Sequence, residues 1–121
     1  MKIINKFIFL ATIFLSTQLF AVTAADIENA NPEGQTVEFW VQYSDERLDA
    51  VMARAERFEA ETGIKVNVTY KGHYGKVQSA MMTTAGTSDQ ADVARGYGNA
   101  AADMYFIGAS IDQTPFADSP K

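Results

Sequence analysis

Thr36-Val-Glu-Phe-Trp-Val-Gln-Tyr43, Ser44-Asp-Glu-Arg47 and, after an amphipathic run, Thr62-Gly-Ile-Lys-Val-Asn-Val-Thr-Tyr70 decide the fold. Val37, Phe39 and Val41 alternate with Glu38, Trp40 and Gln42, the period of two that marks a strand. Trp40 lies on the row opposite Val37, so both faces carry apolar side chains, as a strand between two helix layers requires. Ser44 stands at the N-cap of the next helix, with Asp45 and Glu46 in its first turn, where the positive helix end favours acids. Leu48, Val51, Met52, Ala55, Phe58 and Thr62 then recur at helical spacing, an expected core face, and Gly63 supplies a left-handed C-terminal cap. Ile64, Val66, Val68 and Tyr70 alternate with Lys65, Asn67, Thr69 and Lys71, giving a second strand. Strand, helix and strand so closely joined predict a parallel, right-handed crossover.

Toward the C-terminus, Gly72-His73-Tyr74-Gly75 opens a second helix with Val77, Met81, Met82 and Ala85 on its apolar face. Gly86 to Asp89 ends it. Ala91-Asp-Val-Ala-Arg95 reads as a short third strand, Gly96-Tyr-Gly-Asn99 as a turn, and Ala100–Ala109 as a third helix through Ala101, Met104, Tyr105 and Ile107. Residues 110–121 hold two prolines and no periodicity, an irregular tail. The sum is an α/β fold: an open, mostly parallel sheet with helices on both faces.

Toward the N-terminus, residues 25–35 are a polar lead-in broken by Pro32 and Gly34. Residues 1–24 have the three parts of a secretory signal peptide: Lys2 and Lys6, the apolar run Phe7–Leu15, and the small-residue exit Val22-Thr-Ala24. The apolar run is short of the roughly 20 residues that span a bilayer.

The 121-residue chain has a net charge of −5 and no cysteine. Removing the leader takes away two lysines and no acid, so the remainder is more acidic still. Such a surface argues against nucleic acid or an anionic membrane as partner, since both call for clustered Lys and Arg. Without cysteine there are no disulfides, and stability rests on one small packed core.

In open parallel sheets ligands bind beyond the C-terminal strand ends. Those ends are Gln42-Tyr43-Ser44, Tyr70 to Tyr74, and Arg95 to Asn99. VEFWVQY, ERFEAETGIKVNVTYKGHYGKV and ADVARGYGNAAADMYFIGA, in that order behind a signal peptide, resemble the N-terminal lobe of extracellular solute-binding proteins of ABC importers. The carbohydrate and glycerol-phosphate group is the most similar. The resemblance spans Thr36–Ala109. It implies a partial lobe of a longer, two-lobed periplasmic protein that holds a small-molecule solute, a sugar or polyol phosphate, and delivers it to the importer's membrane subunits.

Residue by residue, the resemblance places polar ligand contacts at Tyr43 and Ser44 and a ligand-facing tyrosine at Tyr74. Gly72 and Gly75 would let backbone N–H groups approach an anion or hydroxyl, and Lys71 would add charge for a phosphate ester. Where relatives carry an acid or a tryptophan segment after the third strand, this chain offers Tyr97 and Asn99. Each tyrosine has a packing reading beside the ligand reading, because an aromatic at a strand end serves either purpose. Trp40, Tyr70 and Tyr105 are assigned to packing, while His73 and Glu56, Glu59 and Glu61 are assigned to solvated helix surfaces.

Catalysis finds little to build on. There is no Cys, one His and no Gly-x-Ser-x-Gly elbow, the carboxylates are scattered, and no cluster has metal-ligand spacing, so no catalytic residue, metal or cofactor is expected. A third reading is a non-binding truncated product or small interaction module, with exposed apolar surface where further strands would pair.

Overall fold

A computed structural model describes residues 23–117. The leader and the last four residues lie outside the described residues, apart from Thr23 and Ala24. Strands β1 (Thr36–Val41), β2 (Lys65–Tyr70) and β3 (Val93–Ala94) form one parallel sheet in the order β2-β1-β3. Thr36 through Val41 pair one-to-one with Lys65 through Tyr70, and Phe39 and Trp40 pair with Val93 and Ala94. Helix α2 (Asp45–Thr62) makes the crossover from β1 to β2, and α3 (Tyr74–Thr84) crosses back to β3 on the far side of β1. Two right-handed crossovers of opposite direction place their helices on opposite faces of the sheet. The architecture is therefore the open α/β sheet expected.

The register sorts the side chains. Val37, Phe39 and Val41 share a face with Val66, Val68 and Tyr70, and Trp40 points to the other. Trp40 is 6 % exposed and packs with Val77 and Met81 of α3, Met104 of α4 (Gly98–Phe106), and Ala91 and Ala109. This is the core, and it confirms the packing role expected of Trp40. Val41 is fully buried on the opposite face.

Several local readings hold and others shift. Gly63 adopts φ 74° and its N–H donates to the Glu59 carbonyl at 2.8 Å, the left-handed cap that its place after Thr62 calls for. No residue of α2 is fully buried, because a three-stranded sheet is too narrow to cover it. Leu48, Val51 and Ala55 are half-buried, whereas Met52 and Phe58 are exposed. Met82 also points outward from α3, whose inner row is Val77, Ala80 and Met81. In α4 the buried pair is Ala100 and Met104, one turn apart, and Tyr105 and Ile107 are exposed. Tyr70, at the edge strand's end, is exposed too. The packing assignments of Tyr70 and Tyr105 are thus corrected: both side chains are exposed.

The lead-in carries a short helix, α1 (Ala24–Asn29), and the tail one turn, α5 (Thr114–Ala117). α1 starts on a reciprocal cap. The Thr23 N–H and hydroxyl donate to the Asp26 carboxylate at 2.8 and 2.7 Å, and the Asp26 N–H reaches back to Thr23 Oγ1 at 3.3 Å. Those bonds hold the Asp26 pKa below the usual carboxylate range. Among the described residues, no helix is long and apolar enough to cross a membrane.

Candidate functional site

A sheet ordered 2-1-3 changes winding direction between β1 and β3. The crevice outside the strand ends at such a switch point is where open α/β sheets bind ligands. The residues leaving β1 and β3 there are Gln42-Tyr43-Ser44 and Arg95-Gly96-Tyr97, and the start of α3 adds Tyr74 from the β2 side.

Backbone bonds to the last two residues of β1 set the flanking cations. The Arg95 N–H donates to the Trp40 carbonyl and the Lys71 N–H to the Val41 carbonyl, each at 3.0 Å. From those anchors the Lys71 ammonium lies 4.1 Å from the centre of the Trp40 ring, and the Arg95 guanidinium lies 4.6 Å from the centre of Tyr43. Arg47, in the first turn of α2, approaches the Tyr43 ring as well, at 5.6 Å. Contacts of this kind contribute about 0.5–1 kcal/mol at exposed positions, enough to bias where the cations rest.

The tyrosines meet. Tyr74 and Tyr97 lie ring to ring with centroids 4.1 Å apart and planes tilted by 34°. The Tyr74 hydroxyl accepts from Gln42 Nε2 at 3.1 Å. The nearby Tyr74 hydroxyl raises the Arg95 guanidinium pKa above its ordinary value, with desolvation opposing and attraction to Tyr43 adding. Gln42 Oε1 is shut off from solvent and has no donor, at a cost of about 1–3 kcal/mol for a fully buried group.

Of the five residues expected to touch a ligand, the structure brings Tyr43, Tyr74 and Tyr97 into one cluster. Ser44 and Asn99 stay outside it. Ser44 occupies the N-cap position of α2, but its hydroxyl donates to Asp45 Oδ2 at 3.2 Å and makes no cap bond. Asp45 beside it has a φ of 58°, left-handed at the first helical residue, where a cap bond calls for ordinary helical backbone. Asn99 is the second residue of α4, exposed, because that helix begins at Gly98 and not after the turn. Gly72 has φ 95°, a conformation that the turn into α3 requires of a glycine, whereas Gly75 lies within the helix. His73 is exposed at the α3 N-cap, as expected.

Gln42 and Arg95 are the members that pattern reading passed over. Both are visible in hindsight as the polar residues just outside β1 and β3. Their partnership through Tyr74 depends on strand order, which the sequence does not spell out.

Beyond the cluster, a groove of about 670 Å³ follows the free edge of β3, with Val77, Met81, Ala94, Ala100 and Met104 among its lining residues. Arg95 and Tyr97 belong to both groove and cluster, while Tyr43 and Tyr74 do not line the groove. The groove is mixed in character, with Gln78, Gln90, Asp92 and Gln113 also among its lining residues. Among the described residues no group of three His, Asp or Glu side chains could hold a metal ion.

The chain matches no known protein family, no curated protein and no solved structure.

Proposed function

We propose that this chain is the solute-binding component of an ABC importer, exported to the periplasm, in which residues 36–109 form one wall of a cleft for a sugar or glycerol-phosphate-type solute. The observation that carries the reading is the convergence of Tyr43, Tyr74 and Tyr97 from three separate chain segments onto the switch point of a parallel sheet. Aromatic faces offer flat apolar surface to the C–H faces of a sugar ring, and the Gln42 amide and the tyrosine hydroxyls offer polar groups to its hydroxyls. Binding is non-covalent, and the importer's membrane subunits receive the solute. Isothermal titration of the full chain with monosaccharides, maltodextrins and glycerol 3-phosphate tests the proposal. Saturable heat with at least one of them is expected, and silence from a folded chain across the panel sinks it.

One feature favours a second reading, an interaction module. Tyr105, Phe106, Ile107 and Ile111 form an exposed apolar stretch at the end of α4, with Phe106 84 % exposed. A silent titration together with self-association in sedimentation would favour that alternative.

A further inference from the structure

Strand β2, six residues long, lies at the edge of the sheet and pairs on one side only, with β1. The Lys65 N–H donates to the Gln35 carbonyl and the Lys71 N–H to the Val41 carbonyl, each at 3.0 Å. Backbone groups alternate in direction along a strand, so Lys65, Asn67, Thr69 and Lys71 bond toward β1. Val66, Val68 and Tyr70 therefore turn their N–H and C=O groups outward, away from the sheet. Exposed edges are ordinarily blunted by proline, a bulge or a charge set into the strand. β2 has no proline, its register with β1 is one-to-one throughout, and its one charge, Lys65, stands at the first residue. The edge is unprotected.

The apolar face above that edge is only half covered. Val66 and Val68 are half-buried and Tyr70 is 49 % exposed, while α2 on the same face leaves Met52 and Phe58 exposed. We infer that β2 is a self-pairing edge, through which two copies of the chain join antiparallel into one continuous sheet. The two-fold axis runs perpendicular to the sheet beside Asn67. A second copy is the occupant because the strand complements itself there. Outward-bonding residues must face one another, which puts the axis beside a residue and never between two. At Asn67, Val66 lies opposite Val68 of the other copy and Ile64 opposite Tyr70, so every apolar residue of the row meets another. Lys65 lies opposite Thr69. An axis at Val68 would instead set Lys65 against Lys71 at both ends, and an axis at Val66 would set Tyr70 against Thr62, the last residue of α2. Such an axis keeps each face of the sheet on its own side, so both α2 helices come to lie on one face of a sheet twice as wide. The strand-end clusters point in opposite directions and stay open.

The experiment follows the full chain by sedimentation velocity and by residue-resolved amide exchange over a range of concentrations. A shift from monomer to dimer is expected. At low concentration Val66, Val68 and Tyr70 should exchange quickly and Asn67 and Thr69 slowly, and as the dimer fills that alternation should disappear. Val68→Pro removes an outward N–H and no bond to β1, so it should keep the circular dichroism of the fold and hold the chain monomeric. Thr69 provides variants that leave the backbone alone. Thr69→Glu, opposite Lys65 of the other copy, should tighten the dimer several-fold at low salt, and Thr69→Lys should loosen it several-fold. A chain that stays monomeric at every concentration overturns the inference. So does a dimer that survives Val68→Pro with Val66 still exchanging quickly, since the contact would then lie elsewhere, as on the exposed stretch at the end of α4. Equal dissociation constants for the two Thr69 variants overturn the register.

Discussion

Replacing Tyr74 by Phe isolates one hydroxyl, because the ring and its approach to Tyr97 at 4.1 Å are kept. That oxygen accepts from Gln42 Nε2 at 3.1 Å and also interacts with the Arg95 guanidinium. The two losses differ in weight. Arg95 is exposed, so water takes over its lost contact at little cost. Gln42 is half-buried and already has an unpaired carbonyl, so losing Tyr74 strands both ends of its amide. An unsatisfied buried donor costs about 1–3 kcal/mol, and half-burial places this one at about 1–2 kcal/mol. Gln42→Leu acts differently. It gives up one neutral hydrogen bond, worth about 0.5–1.5 kcal/mol, and removes the orphaned carbonyl at a comparable gain, for a net change of about zero. In the Gln42→Leu background, Tyr74→Phe then loses only the exposed Arg95 contact, and its cost drops to about 0.5 kcal/mol or less. The expected coupling is about 1 kcal/mol, within the range for residues in direct contact. Urea unfolding of the four proteins, followed by Trp40 fluorescence and circular dichroism, measures it. For a domain of this size the Tyr74→Phe loss also lowers Tm by about 4–8 °C per kcal/mol. The same Tyr74→Phe cost in both backgrounds would show that the two side chains are not coupled, as would a loss well beyond about 2 kcal/mol from Gln42→Leu alone.

Trp40→Ala empties the centre of the core between Val77, Met81 and Met104 and is expected to cost about 3–5 kcal/mol in urea unfolding followed by circular dichroism. Gly63→Ala imposes a Cβ at φ 74° and 2.9 Å from Glu33 Cγ, so a loss above about 1 kcal/mol is expected, with Glu33→Ala relieving the contact but not the backbone strain. Asp26 has a lowered pKa in the folded chain, so its contribution to α1 is complete above the ordinary carboxylate pKa and is lost as pH falls through the lowered value. Amide chemical shifts of residues 23–29 followed from pH 6 to pH 2 should show that loss, and Asp26→Asn should abolish the pH dependence. In ligand titrations Tyr97→Ala should weaken binding several-fold, whereas Ser44→Ala and Asn99→Ala should leave it unchanged, because neither side chain reaches the cluster.

The order of strands and helices was legible because each element has its own periodicity and its own punctuation, Gly63 most clearly. The tyrosine site was legible as far as the C-terminal strand ends could be listed. What the sequence could not supply was which ends become neighbours. That depends on β1 taking the central place, so that Gln42 and Arg95, far apart in the chain, come to share Tyr74. Ser44 misled for a local reason: a good capping residue is disarmed when the residue after it turns left-handed. Met82, Tyr105 and Ile107 misled for a global one, since apolar spacing marks a helix face but not whether another layer exists to cover it.

The two-residue length of β3 has a consequence for how the molecule comes apart. The β1–β2 ladder joins six pairs, with side-chain links such as Asn67 to Glu38 across 29 residues of chain. The β1–β3 ladder joins two, supported by the Asp92 carboxylate bonded to the Glu38 N–H across 54 residues. The longer loop is the harder to close, and the shorter ladder is the easier to open. Hydrogen exchange should therefore find Val93–Arg95 opening well before β1 and β2, taking Arg95 and Tyr97 out of the cluster without unfolding the rest. Any solute that bridges Arg95 and Tyr74 binds only the closed form and slows exchange at β3 in proportion to its occupancy. The weakest strand of the sheet is thereby its most sensitive reporter of binding.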